Sequence, residues 1–279
     1  MNKKKVSIII RTKNEERWIA LCLKKIYLQT YKNFEIILVD NFSEDKTLIK
    51  ARKFKLKKIL KIKSYLPGKA INLGIKHSNG EYLVFISAHC IPKNNTWLAT
   101  LVKSISENDL FAGVYGRQEP MNFSNDSDTR DLLLVFGLDR KVQENDTFFH
   151  NANSIIRKKV WNKFKFDNRT KNIEDRLWAK KILNFGYKIL YEPNASVYHY
   201  HGIHQNNNFQ RLNNVVRIIK NESNESTGKI NPLDLKIVAI IPKKGNLLKI
   251  NNKYLLEYSF KNLKESKYID EIFLSTDSK

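Results

Sequence analysis

Three runs of aliphatic and β-branched residues, VSIII (6–10), FEIILVD (34–40) and EYLVFIS (81–87), constrain this chain most. They are continuous rather than alternating, so each strand must bury both faces, as in a parallel sheet covered by helices on two sides. The segments between them have a helical period. In ERWIALCLKKIYLQ the apolar positions 18, 19, 21, 22, 26 and 28 fall on one stripe. Ser43 is placed to cap a helix in SEDKTLIKARKF, and KAINLGIKHS closes at the Asn79-Gly80 turn. KILKIK reads as a weaker edge strand, and TWLATLVKSI as a helix after the third run. Strands and helices alternating at this spacing predict an α/β fold with a Rossmann-like, mostly parallel sheet flanked by helices.

Ligands of such sheets bind beyond the carboxyl ends of the strands. Those ends here are Arg11-Thr12, Asp40-Asn41 and Ser87-Ala88-His89, all polar. No glycine-rich phosphate loop accompanies them, which argues against a dehydrogenase or a P-loop enzyme. Further on, residues 113–161 show no single period. NIEDRLWAKKILNFGYKILYEP (172–193) reads as a helix, a stop at Gly186 and a short strand. Glu174 and Asp175 sit in that helix's first turn, about 100° apart, where a carboxylate can simply serve the helix dipole. ASVYHYHGIHQ (195–205) places His199, His201 and His204 close together in sequence. The polar stretch NESNESTG (221–228) precedes a new strand, LKIVAIIP (235–242). The boundaries expected are a domain over 1–222, a linker over 223–233 and a segment over 234–279.

The formal charge of +22 fits an anionic partner such as a nucleotide diphosphate or an acidic membrane face, and equally fits lysines spread over solvated surfaces. Zinc-finger spacing and RNA-binding aromatic motifs are missing, so nucleic acid is an unlikely partner. The two cysteines, Cys22 and Cys90, suggest a reducing compartment. No apolar run approaches the roughly 20 residues of a membrane span, and MNKKKVSIII lacks a cleavage site. The expectation is a cytoplasmic protein, peripheral at most at the inner face of an anionic membrane.

Several stretches, in order, resemble the family 2 glycosyltransferases, whose fold is GT-A. SIIIRTKNEERWI is similar to the opening strand and donor loop, and QTYKNFEIILVDNFSEDKT to the second strand with its nucleotide-contacting aspartate. GKAINLGIKHSNGEYLVFI resembles the segment before the family's metal motif, and NIEDRLWAKKILNFGYKI the segment bearing the catalytic base. GRQEP is similar to bacterial transferases that build surface polysaccharides. The resemblance implies an inverting enzyme moving a sugar from a nucleotide-sugar donor to a hydroxyl of a glycan or lipid-linked acceptor. It assigns Thr12 and Glu15 to the nucleobase and ribose side, Asp40 to a hydrogen bond with the nucleoside, and Lys69 to the donor phosphates. Asp175 becomes the general base. A nucleotide-binding module without activity is the alternative.

The chain departs from the family where an Asp-x-Asp signature is expected, because Ser87-Ala88-His89 stands there. A hydroxyl is a poor ligand for a hard cation, and imidazole prefers softer metals than magnesium. Three readings of His89 stay open: a structural side chain, a ligand of a divalent metal (manganese before magnesium) with His199 or His201, or a charge that stabilises the leaving diphosphate without metal. Residues 234–279 resemble the start of the acylneuraminate cytidylyltransferases, truncated after the first strand, helix and second strand, too short for an independent core.

Overall fold

A computed structural model describes residues 4–200, 210, 213–218, 236–243, 248–267 and 269–276. The chain separates into two compact units, Met1–Val216 and Arg217–Lys279.

The first unit opens with the expected alternation: β1 (Val6–Thr12), α1 (Ile19–Tyr27), β2 (Phe34–Asp40), α2 (Thr47–Ala51), β3 (Lys58–Lys61), α3 (Pro67–Lys76) and β4 (Tyr82–Ser87). It continues through β5 (Cys90–Pro92), α4 (Trp97–Ser106), β6 (Phe111–Pro120), α5 (Asp126–Val135) and β7 (Lys141–Gln143). The last elements are β8 (Asn153–Arg157), α6 (Lys158–Lys163), α7 (Glu174–Asn184) and β9 (Lys188–His199). One sheet takes all nine strands, in the order β3-β2-β1-β4-β8-β6-β9-β5, with β7 also on β9.

The β3-β2-β1-β4 half is wholly parallel. β8 runs antiparallel to both β4 and β6, and β5 and β7 run antiparallel to β9. The sheet is therefore mixed, and the segment without a clear period supplies its antiparallel part. β9 is twelve residues long and continues past the short strand expected over 188–193. Pro193 interrupts its ladder, since proline has no N–H to donate, and the register with β6 shifts between Gly116 and Gln118.

Alternate side chains of β1 explain the two-sided core. Ile8 and Ile10 pack with α1 and α4 through Leu23, Ile26, Trp97 and Leu101. Ile9 faces the other layer, with Ile71 and Ile75 of α3 and Trp178 and Ile182 of α7. Strands buried on both faces by helices need the continuous apolar runs seen in the sequence.

In the second unit β10 (Val238–Lys243) pairs in parallel with β13 (Glu271–Thr276). Between them lie a hairpin of β11 (Lys249–Ile250) and β12 (Lys253–Tyr254), then α8 (Leu255–Lys264). Asn251 and Asn252 turn the hairpin with positive φ values of 49° and 64°, which asparagine tolerates. None of the residues of α8 is buried.

Asn153, fully buried, holds β6, β9 and α4 together. Its amide donates to the carbonyls of Arg117 (3.0 Å) and Ala195 (2.7 Å), and its Oδ1 accepts from the Trp97 indole (2.8 Å). Gly116 leaves room for this junction: a Cβ there would lie 2.0 Å from the Ala195 carbonyl oxygen and 2.4 Å from Asn153 Nδ2. Gly116→Ala should therefore destabilise the first unit by about 3 kcal/mol, the upper part of the overpacking range. Urea denaturation checks this, and an unchanged midpoint would refute the junction's role.

Candidate functional site

Register brings the strand ends together. Thr12 lies opposite Asp40 and Arg11 opposite Ser87. Asp40 is fully buried, so its carboxylate needs partners. Its Oδ1 accepts from the hydroxyls of Thr12 (3.0 Å) and Ser43 (2.6 Å), and its Oδ2 from the Ser43 N–H (3.0 Å). The loops after β1 and β2 are then laced together. Ser43 Oγ accepts from the Asn14 N–H, Thr47 Oγ1 from the Glu15 N–H, and Asp45 from the Glu16 N–H. Asn14 and Phe42, one in each loop, take left-handed φ values of 52° and 50°. Ser43, expected as a helix cap, works instead as a tie between the loops, and α2 begins at Thr47 with no side-chain cap.

Glu15 points at the third strand end. Its Oε1 lies 2.6 Å from His89 Nδ1. An ionised carboxylate can only accept, so Nδ1 carries the proton and the ring presents Nε2 to the opposite side. β5 follows immediately and pairs antiparallel with β9, setting Cys90 opposite His199. The His199 ring stacks on that of His89, with centroids 5.2 Å apart and planes 4° from parallel. One donor atom each from His89, Cys90 and His199 come within 4.8 Å of one another. Two imidazoles and a sulfur form a donor set for a borderline or soft divalent ion rather than magnesium. Burial pushes the Cys90 thiol well above its usual range, so the imidazoles are the readier ligands.

The carboxylates of α7 complete the site. Glu174 and Asp175 are both buried. Glu174 pairs with Arg11 at 3.2 Å and lies 3.3 Å from the Asn151 amide, which donates to it. Asp175 accepts the backbone N–H groups of Asn151 (3.1 Å) and Arg176 (2.9 Å). Burial raises the pKa of both carboxyls; for Asp175 the two N–H donors oppose that rise without cancelling it. Ile173, just before them, has φ 54° and ψ 29°, a left-handed conformation that a β-branched residue adopts only under constraint. His150, next to Asn151, lies 6.5 Å by ring centroid from His199, so the Asp175 and His89 groups share one neighbourhood. At one lip, the Arg17 guanidinium rests 4.6 Å over Trp18, 5.4 Å over Phe123 and 5.2 Å over Tyr200.

Thr12, Glu15, Asp40, Ser87 and His89 are thus gathered at one edge of the sheet, with Asp175 linked to them through Asn151 and His150. Lys69 lines a cavity with Ile62, Asn72, Leu73, Lys76, Lys165 and Asn168, and Ile62 donates its N–H to the Asp40 carbonyl at 3.0 Å. His201 and His204 lie outside the described residues. Arg11, Asn151 and Glu174 were not singled out as a network by the sequence, although an arginine in an otherwise apolar strand hints at a buried partner. Ser43→Ala should cost about 1 kcal/mol, because it strips a donor from Asp40 and an acceptor from Asn14. Faster amide exchange at Asn14 and residues 41–44 is the expected readout, and unaltered exchange there would contradict the lacing.

A family model, "Glycosyl transferase family 2", matches residues 7–164, more than half of the chain. The dolichyl N-acetyl-alpha-D-glucosaminyl phosphate 3-beta-D-2,3-diacetamido-2,3-dideoxy-beta-D-glucuronosyltransferase of Methanococcus voltae is 37% identical over 124 residues, 40% of this chain and 38% of that protein. The O-antigen chain rhamnosyltransferase of Salmonella typhimurium is 27% identical over 224 residues, 74% of this chain and 70% of that protein. Among solved structures, the mannosyltransferase of Pyrobaculum calidifontis with GDP-Man and Mn2+ superposes with a TM-score of 0.56 at 21% identity, over 71% of this chain and 57% of that one. The likeness in structure extends to the fold, which is GT-A. By the match over residues 7–164, the chain belongs to glycosyl transferase family 2.

Proposed function

We propose that the protein is an inverting glycosyltransferase of surface-glycan assembly, moving a sugar from a nucleotide-sugar donor to a hydroxyl of a glycan or lipid-linked acceptor. One observation carries this reading: a buried carboxyl of raised pKa, Asp175, is held by two N–H donors beside strand ends of the kind that bind ligands in α/β sheets. In the reaction Asp175 takes the proton of the acceptor hydroxyl while the hydroxyl oxygen attacks the anomeric carbon from the face opposite the leaving group. The bond from that carbon to the diphosphate oxygen breaks, and the nucleotide diphosphate leaves with the electron pair. Thr12, Asp40 and Ser87 line the donor side. Asp40 acts there by holding the loops, since its oxygens already accept three hydrogen bonds. Glu15 acts through His89, whose ring it orients.

His89 and His199 would hold a divalent metal, manganese before magnesium, which when bound would neutralise charge on the donor diphosphate. The mannosyltransferase of the same fold, solved with Mn2+, supports a divalent metal. A cytoplasmic location, at the inner face of an anionic membrane, is supported by the charge of +22. The parallel pairing of β10 with β13 is compatible with the resemblance of residues 234–279 to the start of the cytidylyltransferases.

Asp175→Asn should abolish transfer, a loss of 100-fold or more, and leave nucleotide affinity unchanged. In the wild type the base works deprotonated. A pKa raised by burial means that activity falls, on acidification, above the usual carboxylate range near ~4. Near-normal turnover of Asp175→Asn, with released nucleotide as the readout, would refute the assignment. For the metal, His89→Ala should remove the response to manganese while the protein stays folded. Equal activity of wild type in EDTA and in manganese would exclude it. A panel of UDP, GDP, CMP and dTDP sugars identifies the donor.

A further inference from the structure

A cavity of about 410 Å³ lies beside the first turn of α7, within the ~300–1,000 Å³ range of small-ligand pockets. Tyr115 of β6 and Tyr191 of β9 line it from the sheet, and the end of α5 and residues 146–148 line it from above. Arg176 joins it to the reaction centre: its backbone N–H serves Asp175, while its guanidinium rests 4.8 Å over the Phe148 ring in the lining. Asp175 itself is not in the lining, so the cavity adjoins the base without containing it. An aromatic layer stands between the cavity and His150. The buried Phe136 ring lies 5.8 Å from Phe148, 6.1 Å from His150 and 6.5 Å from Tyr191.

The polar groups of the lining are held in place. Tyr191 donates its hydroxyl to the Gly137 carbonyl (2.6 Å). Asp146 accepts the Phe148 N–H at 3.0 Å through one oxygen and meets Lys141 Nζ at 3.2 Å with the other. Tyr115 is different. It is 6% exposed, yet its hydroxyl forms no hydrogen bond with a described residue. The groups whose charge acts on that hydroxyl are Asp146, Tyr191 and Arg176, all in the lining, so it faces the cavity. Burial, then Asp146, push the phenol pKa up, which keeps it a neutral donor. A buried hydroxyl of this kind is costly to leave unsatisfied, so it needs a ligand group opposite it. The Arg176 guanidinium likewise forms no hydrogen bond or ion pair with a described residue.

Charge decides the class of ligand. Asp139 and Asp146 balance Lys141 and Arg176, so the lining favours neither an anion nor a cation. Phenol and guanidinium groups donate, carboxylates accept, and aromatic rings fill the space between them. That mixture suits a ring whose hydroxyls both donate and accept and whose C–H faces are apolar, which describes a sugar. We propose that the cavity binds a sugar residue of the acceptor glycan other than the one being extended, so that the enzyme recognises an oligosaccharide and not a single sugar. Phe136 and Phe148 stand between this sugar and His150, so it is an anchor and not the nucleophile. Its binding energy serves to bring the next hydroxyl along the glycan to Asp175. The inference rests on the transferase reading for calling the ligand an acceptor, whereas the preference for a neutral sugar follows from the lining alone.

The test applies the full chain to a printed array of mono-, di- and oligosaccharides of surface polysaccharides, and isothermal titration then gives the affinity of each glycan bound. At least one oligosaccharide should bind about tenfold or more tighter than each of its component monosaccharides. Tyr115→Phe/Arg176→Gln should weaken that binding by about tenfold or more. Arg52→Gln, which removes an exposed cation just after α2, should leave it within about twofold. Three results would overturn the proposal: no oligosaccharide bound by the wild type, equal binding by the double variant, or monosaccharides bound as tightly as the oligosaccharide. An oligosaccharide held through Tyr115 and Arg176 by a protein that releases nucleotide from no donor would support the cavity and overturn the transferase reading alone. Circular dichroism checks that the variants fold. Tyr115→Phe by itself, with an expected loss of about threefold or more, replaces the double variant if that one unfolds.

Discussion

Arg11 emerges near the end of a strand that is otherwise apolar, and its guanidinium cannot stay in so dry a place without a carboxylate. Glu174 supplies one, from a helix 163 residues later in the chain. That pair fastens the parallel half of the sheet to the start of α7, and Asn151 extends the fastening to β8 by serving Glu174 with its side chain and Asp175 with its backbone. Removing one partner of a buried pair of this kind typically costs 3–5 kcal/mol. The two adjacent carboxylates thereby receive different tasks. Glu174 is tied directly to a cation, and Asp175 accepts two backbone N–H groups where burial raises its affinity for a proton.

The parallel half of the fold was legible because its strands are continuous and its helices periodic. Val6–Thr12, Phe34–Asp40 and Tyr82–Ser87 need no context to be recognised as buried strands. The antiparallel half was not legible, since its strands carry the polar residues that form junctions. β8 includes Asn153, Ser154 and Arg157, all buried, and β6 contains two glycines that make room for neighbours. The site followed the same division. Strand ends could be read directly, but contacts between distant segments could not. The alignment of His199 with Cys90 depends on a three-residue strand too short to have a pattern, and Glu15 reaches His89 across 74 positions. For Lys69, the spacing that gave its helix could not tell which loop would face it.

Acidic residues are scarce in this chain, 28 against 50 lysines and arginines, and several that occur near the sheet hold elements together. Glu35 is an example. Burial alone would push its pKa up, but Lys5, the Asn79 N–H, Ser7 and Lys57 all donate to it and bring it down to about 2. A carboxyl lowered on folding adds stability above its unfolded pKa, and that contribution disappears as the pH falls toward 2. The positive excess is therefore not a uniform coat of charge. Where a carboxylate is present it tends to be consumed locally.

The left-handed turn at Ile173 has a consequence for heat. A branched side chain in that conformation lies roughly 1–2 kcal/mol above an ordinary helical one, so the first turn of α7 is held in place by the packing of Trp178, Ala179 and Ile182 further along. A local opening of that packing costs less than melting the whole nine-stranded sheet. The turn would then be free to relax to a commoner conformation, carrying Glu174 and Asp175 out of register with Arg11 and Asn151. Catalytic competence would fade on a lower temperature scale than the cooperative loss of the sheet, leaving a folded but idle population between the two.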